Sequence, residues 1–149
     1  MFSARRGISA RVDRQREKYG VQRKTILVVE DNKDELMIYT TLLSFRGYAI
    51  LAAAGFDDAL QIAIAQLPPP AVIDVNLGDP NRDGCDLIEA LRADDRTREL
   101  PVIAHTAFGD VYRQSLDRVG CQAIIHKPFS PALLLEAIES VMGAGNEIE

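Results

Sequence analysis

Between residues 25 and 143 the chain alternates short, unbroken apolar runs with amphipathic stretches, and that alternation leaves few folds open. Four of the runs are Ile26–Val29, Ala71–Ile73, Pro101–Ala104 and Ala123–Ile125. They are too short for helices and lack the polar alternation of half-exposed strands, which is the pattern of strands buried on both faces. With a fifth run near Tyr48, strands are expected over Thr25–Val29, Tyr48–Ala52, Ala71–Asp74, Pro101–His105 and Gln122–Ile125. The stretches between them have helical spacing. The first, Asp34–Arg46, carries Leu36, Tyr39, Thr40 and Leu43 and ends at Gly47. The second opens at Asp57 or Asp58, carries Ala59, Leu60, Ala63, Ile64 and Leu67, and stops at Pro68-Pro69-Pro70. The third carries Leu87, Ile88 and Leu91, and the fourth Val111, Tyr112, Leu116 and Val119. The last opens at Ser130-Pro131, a cap followed by proline in the first turn, and carries Leu134, Ala137, Ile138 and Val141. Strand and helix in strict alternation predict an α/β fold, a parallel sheet with helices on both faces.

Polar side chains stand at or just past the ends of these runs: Glu30 and Asp31, then Asp74, Thr106 and Lys127. In a parallel sheet the strand C-termini share one edge, where open α/β sheets bind ligands. The five groups are therefore expected in one crevice, although up to about a hundred residues separate them. Three carboxylates gathered there repel one another unless a pKa rises or a hard cation neutralises them. Oxygen ligands alone suit Mg2+ or Mn2+. The Lys127 ammonium and the Thr106 hydroxyl suit phosphoryl oxygens, for which catalysis is mostly positioning and electrostatics. Asp74, directly after the third strand, is the candidate nucleophile, giving an aspartyl phosphate.

Charge and composition narrow the setting. The chain has 149 residues and a net charge of −5, unevenly spread. Residues 1–24 carry eight basic side chains against Asp13 and Glu17, a net +6, which leaves −11 on the remainder. Such an acidic body is a poor nucleic-acid binder. The division expected is a basic extension over 1–24, a domain over 25–143 and a tail over 144–149, with no DNA-binding domain. No apolar stretch approaches the roughly 18 residues of a membrane span, and the N-terminus lacks the apolar core of a secretory signal. Cys85 and Cys121 form no CxxC pair and read as reduced thiols of a cytoplasmic protein.

In order along the chain stand Ile-Leu-Val-Val-Glu-Asp-Asn at 26–32, the stretch from Pro68 to Leu77 with Asp74-Val-Asn-Leu at its end, Asp83-Gly84, Pro-Val-Ile-Ala-His-Thr-Ala at 101–107, and Lys127-Pro128-Phe129. In this the chain resembles the receiver domain of bacterial two-component response regulators, over about four-fifths of its length. The resemblance implies a doubly wound, flavodoxin-like fold with strand order 2-1-3-4-5. It implies Asp74 as acceptor of a phosphoryl group from a histidine kinase or histidine phosphotransfer protein. It also implies Mg2+ held by Asp31, Asp74 and the backbone carbonyl of Asn76, with Glu30 acting through water. Thr106 and Lys127 would meet the phosphoryl group, and the Lys127-Pro128 bond would be cis. The domain would catalyse its own phosphorylation and dephosphorylation without being a turnover enzyme. It would signal to an unidentified protein by contact around the fourth helix and fifth strand. The fourth helix, fifth strand and fifth helix are also a candidate homodimer face.

Three features depart from that pattern. Ile124 stands where an aromatic usually reports the switch, the loop from Asp74 to Gly84 is about two residues longer, and the basic extension lies outside the pattern. Strand alternation turns His105 and His126 away from Thr106 and Lys127, as structural or surface residues. A haloacid-dehalogenase-type hydrolase would need a second Asp where Asn76 stands. A nucleotide or flavin site would need a phosphate-cradling loop where Glu30-Asp31-Asn32 stands, and GxGxxG and GxxxxGK[ST] are both missing. The alternative reading is a receiver-fold interaction module that works without phosphorylation.

Overall fold

β1 (Lys24–Val29) pairs in parallel with β2 (Tyr48–Ala53) on one side and β3 (Ala71–Asp74) on the other. β4 (Val102–Thr106) and β5 (Ala123–His126) complete a five-stranded sheet of order 2-1-3-4-5 among the described residues. This computed structural model describes residues 24–66, 70–107, 109–128 and 130–143. The basic extension up to residue 23, Leu67, Pro68, Pro69, Phe108, Phe129 and the tail from 144 lie outside the described residues. Among the described residues four helices connect the strands and a fifth follows β5: α1 (Lys33–Phe45), α2 (Phe56–Gln66), α3 (Gly84–Ala93), α4 (Gly109–Val119) and α5 (Pro131–Gly143).

Alternate side chains of each strand enter different cores, which is why the strands are apolar throughout. Leu27, Val29, Ala71, Ile73, Val102 and Ala104 point to α2, α3 and α4, meeting Ala59, Ala63, Leu87, Ile88, Leu91 and Leu116. Ile26, Val28, Val72, Ile103 and Ile125 point the other way, to Tyr39 and Leu43 of α1 and Leu134 and Ile138 of α5. Full burial of each Leu or Ile side chain contributes about 1.5–3 kcal/mol. Val111 is the exception among the apolar positions expected on α4: it lies on that helix's first turn and is 75% exposed.

Element ends differ from the sequence reading by about a residue, for local reasons. Pro101 has no N–H for the ladder, so β4 begins at Val102, while the Pro101 carbonyl accepts from Ala71 N–H at 2.8 Å. Asn32 caps α1, its side chain accepting from the Asp34 and Glu35 N–H groups at 3.0 Å each, and the helix starts at Lys33. The Ser130 hydroxyl accepts from Ala132 N–H at 3.1 Å at the start of α5, as the Ser-Pro pair suggests. Strand register brings the C-terminal ends level. Val29 pairs with both Ala53 and Ile73, Asp74 with His105, and Thr106 with His126. The residues at and beyond these pairs therefore leave the sheet together. None of the described helices is long and apolar enough to cross a membrane.

Candidate functional site

The crevice is built from strand ends. Glu30 continues β1, its N–H donating to the Ala53 carbonyl at 3.0 Å, and its side chain is buried. Glu30 Oε2 accepts from Asn32 N–H at 3.1 Å, which ties the acid to the cap of α1. Asp31 lies between them and is exposed. Asp74 closes β3, buried, with Oδ1 accepting from Asn76 N–H at 3.2 Å. Thr106 closes β4 and is buried. Lys127 comes directly after β5, and the Lys127-Pro128 peptide bond is cis. These groups line a cleft of about 390 Å³ together with Asn32, Glu35, Asn76 and Ala107.

Among the described residues, four carboxylates face a single ammonium in the cleft. One carboxylate oxygen from each of Glu30, Asp31 and Asp74 lies within 4.8 Å of the others. Lys127 Nζ donates to Asp74 Oδ2 at 3.2 Å and Glu30 Oε1 at 3.3 Å, and pairs with Glu35 Oε1 at 2.8 Å. Burial, and then the charge of Asp74, push the Glu30 carboxyl up to about 8. Burial raises Asp74 as well, against the lowering effects of the Lys127 charge and of hydrogen bonds from Glu30, Lys127 and Asn76. For Lys127, burial works downward, but the Glu35 hydrogen bond and the charges of Asp74 and Glu30 outweigh it and raise the ammonium above its ordinary value. Three clustered carboxylates with oxygen donors alone, one of them driven to hold a proton, fit a hard divalent cation.

All five residues expected at one sheet edge, with Asn76, therefore line one cleft. Glu35 belongs there too and was missed. An acidic residue in the first turn of a helix reads as an ordinary response to the helix dipole, and its only other mark is its place three residues after the Asn32 cap. Gly78 was also missed. Its φ is +73°, and a Cβ there would lie 2.6 Å from Asp31 Oδ2, so the loop after β3 presses against the acidic cluster. His105 turns away from the cleft, as expected. It is buried, hydrogen-bonded through Nδ1 to the Tyr39 hydroxyl, with the rings 5.3 Å apart and nearly perpendicular. His126 is exposed. Ile124, partly buried, packs against the core on the α2–α4 side.

A sheet of order 2-1-3-4-5 with an acidic crevice at its switch point defines the receiver class of α/β domains. The response regulator receiver domain family matches residues 26–139, and the chain belongs to it. It is 33% identical over 123 residues to the polar-differentiation response regulator DivK of Brucella anthropi, across 80% of this chain and 97% of that one. Among solved structures it is similar to the receiver domain of a Pseudomonas aeruginosa sensor histidine kinase, which has a magnesium ion coordinated in its active site cleft. The TM-score is 0.74 at 28% identity, covering 80% of this chain and 98% of that one. A CheY-like receiver domain protein of Methanospirillum hungatei gives a TM-score of 0.76 at 25% identity, covering 85% and 98%. Family membership places the chain in two-component signalling, among domains that generally accept a phosphoryl group rather than act as turnover enzymes.

Proposed function

We propose that this chain is a phosphorylation-dependent signalling module in which Asp74 accepts a phosphoryl group from the phosphohistidine of a histidine kinase or phosphotransfer protein. A carboxylate oxygen of Asp74 forms the new P–O bond, the P–N bond to imidazole breaks, and the imidazole leaves with its electron pair and takes up a proton. Asp31, Asp74 and the Asn76 carbonyl would hold Mg2+ or Mn2+, with Glu30 acting through water. Such a cation neutralises the carboxylates and the charge spread over the phosphoryl oxygens. Lys127, now shared among Asp74, Glu30 and Glu35, turns to the phosphoryl group, and the Thr106 hydroxyl donates to another of its oxygens. The same groups orient water for self-catalysed dephosphorylation. Residues 25–143 form the working domain, in the cytoplasm, and signal through contacts around α4 and β5, with 1–24 and 144–149 as flanking segments.

The observation that carries this reading is Asp74 itself. It is the buried carboxylate at the end of β3, bonded at 3.2 Å to an ammonium and clustered with two further carboxylates. The test is exposure to acetyl phosphate with Mg2+, read by intact mass, and to beryllofluoride with Mg2+, read by amide NMR shifts. Wild type is expected to gain one phosphoryl group and to shift around Asp74, Thr106 and Lys127, whereas Asp74→Asn does neither. Identical behaviour of the two proteins would leave only the phosphorylation-independent interaction module.

A further inference from the structure

The loop between β3 and α3 runs from Val75 to Asp83, and the residue that holds it, Arg82, stands outside the crevice. The Arg82 guanidinium donates to both carboxylate oxygens of Asp57, at 3.0 and 3.1 Å. Its Nε donates to Asp79 at 3.2 Å, and its central carbon lies 4.2 Å from the centre of the Phe56 ring. Phe56 and Asp57 open α2, while Asp79 and Arg82 lie in the loop. The guanidinium thus ties the loop to the neighbouring helix by a planar fork and by stacking, two contacts that a lysine ammonium does not reproduce together.

Inside the loop the path is closely specified. Asn76 Oδ1 accepts from Gly78 N–H at 3.1 Å, and Asp79 Oδ1 accepts from Asn81 N–H at 2.8 Å. At its far end Gly84 N–H donates to the Val75 carbonyl at 2.6 Å, and a Cβ on Gly84 would lie 2.6 Å from the Asp74 carbonyl oxygen. The loop leaves the crevice at Asp74, returns to the backbone of Asp74 and Val75 at Gly84, and is clasped to α2 in between. The segment it holds carries Asn76, which lines the cleft, and Gly78, which lies against Asp31.

We propose that Arg82 is a positioning residue for the cation site: its clasp on Asp57, Asp79 and Phe56 sets Asn76 and Gly78 against Asp31 and thereby sets the affinity of the crevice for a divalent cation. This rests on the reading of the crevice as a Mg2+ site. The clasp is largely solvent-exposed, so its loss changes global stability little. Residues outside the ligand set that hold ligands in place typically change metal affinity by about 10–100-fold. The experiment is a Mg2+ titration followed by amide NMR shifts on wild type, Arg82→Ala, Arg82→Lys, Asp57→Ala, the Arg82→Ala/Asp57→Ala double variant and Asp31→Asn, with thermal midpoints beside it. Arg82→Ala and Asp57→Ala are expected to weaken Mg2+ about tenfold, each alone and no further together, with near-native midpoints and only partial recovery in Arg82→Lys. Wild-type affinity in Arg82→Ala, or losses that add in the double variant, overturns the clasp. A wild type without saturable Mg2+ shifts, or an unchanged Asp31→Asn, overturns the cation reading itself.

Discussion

Glu30 is the most deeply buried of the three carboxylates that meet in the crevice, and its proton links pH to cation binding. Burial and Asp74 raise it from 4.5 to about 8. Its folded pKa lies above its unfolded one, so its contribution to stability is full below 4.5 and is lost as pH rises through about 8. At neutral pH that proton competes with a cation entering the crevice. Mg2+ binding is therefore expected to release up to about one proton at pH 7, and its apparent affinity to rise with pH by up to about tenfold per unit. Calorimetric titrations in two buffers of different ionisation enthalpy measure this release. A buffer-independent heat would mean that Glu30 does not give up a proton to the cation, and Glu30→Gln should abolish any release. The residues whose places could be read from the chain are those that end apolar runs: Glu30, Asp31, Asp74, Thr106 and Lys127 share an edge because parallel strands do. Glu35 could not be read that way, because it reaches Lys127 from a helix. Arg82 could not be singled out within its loop: its partner Asp57 is 25 residues away, and their meeting depends on the path of the loop.

Among elements, α3 has the most explicit start. Asp83 Oδ1 accepts from Asp86 N–H at 3.0 Å, and Asp86 Oδ2 accepts from Asp83 N–H at 2.9 Å, a reciprocal capping box. Asp83→Ala is expected to cost about 1 kcal/mol in urea denaturation, and Asp83→Ser, which keeps a capping oxygen, much less. An equal loss in both would mean that the cap hydrogen bond is not what holds this helix end. Helices and strands were legible as types because the two hydrophobic periods differ, 3.6 against unbroken runs. Their ends were legible only to within about a residue, because Pro101, Gln122 and the Asn32 cap settle them by individual hydrogen bonds. Strand order came from the family resemblance, since periodicity shows which residues are buried but not which strand lies beside which.

For the molecule as a whole, a buried imidazole, His105, sits where β4 meets α1, joined to Tyr39 of the core between the sheet and the α1–α5 layer. Burial, and then the Lys127 charge, lower its pKa from 6.5 to about 3. The folded value lies below the unfolded one, so His105 contributes stability that is present above 6.5 and lost as pH falls toward 3, by at most about 1.4 kcal/mol per pH unit. Glu30 acts in the opposite sense over part of that range, so the comparison that isolates the ring is wild type against His105→Gln in urea unfolding between pH 6.5 and 4. The variant is expected to show a shallower fall, and equal slopes would place the acid sensitivity elsewhere. The span between Glu30 and Lys127, 97 residues bridged by one salt link, has a consequence during synthesis. A chain emerging from the ribosome N-terminus first has β1, β3 and their acids exposed long before the lysine appears. Until β5 joins the sheet, those acids lack the ammonium that balances them. The ion pairs that join Lys127 to Glu30 and Asp74 are therefore among the last contacts of the crevice to form during synthesis.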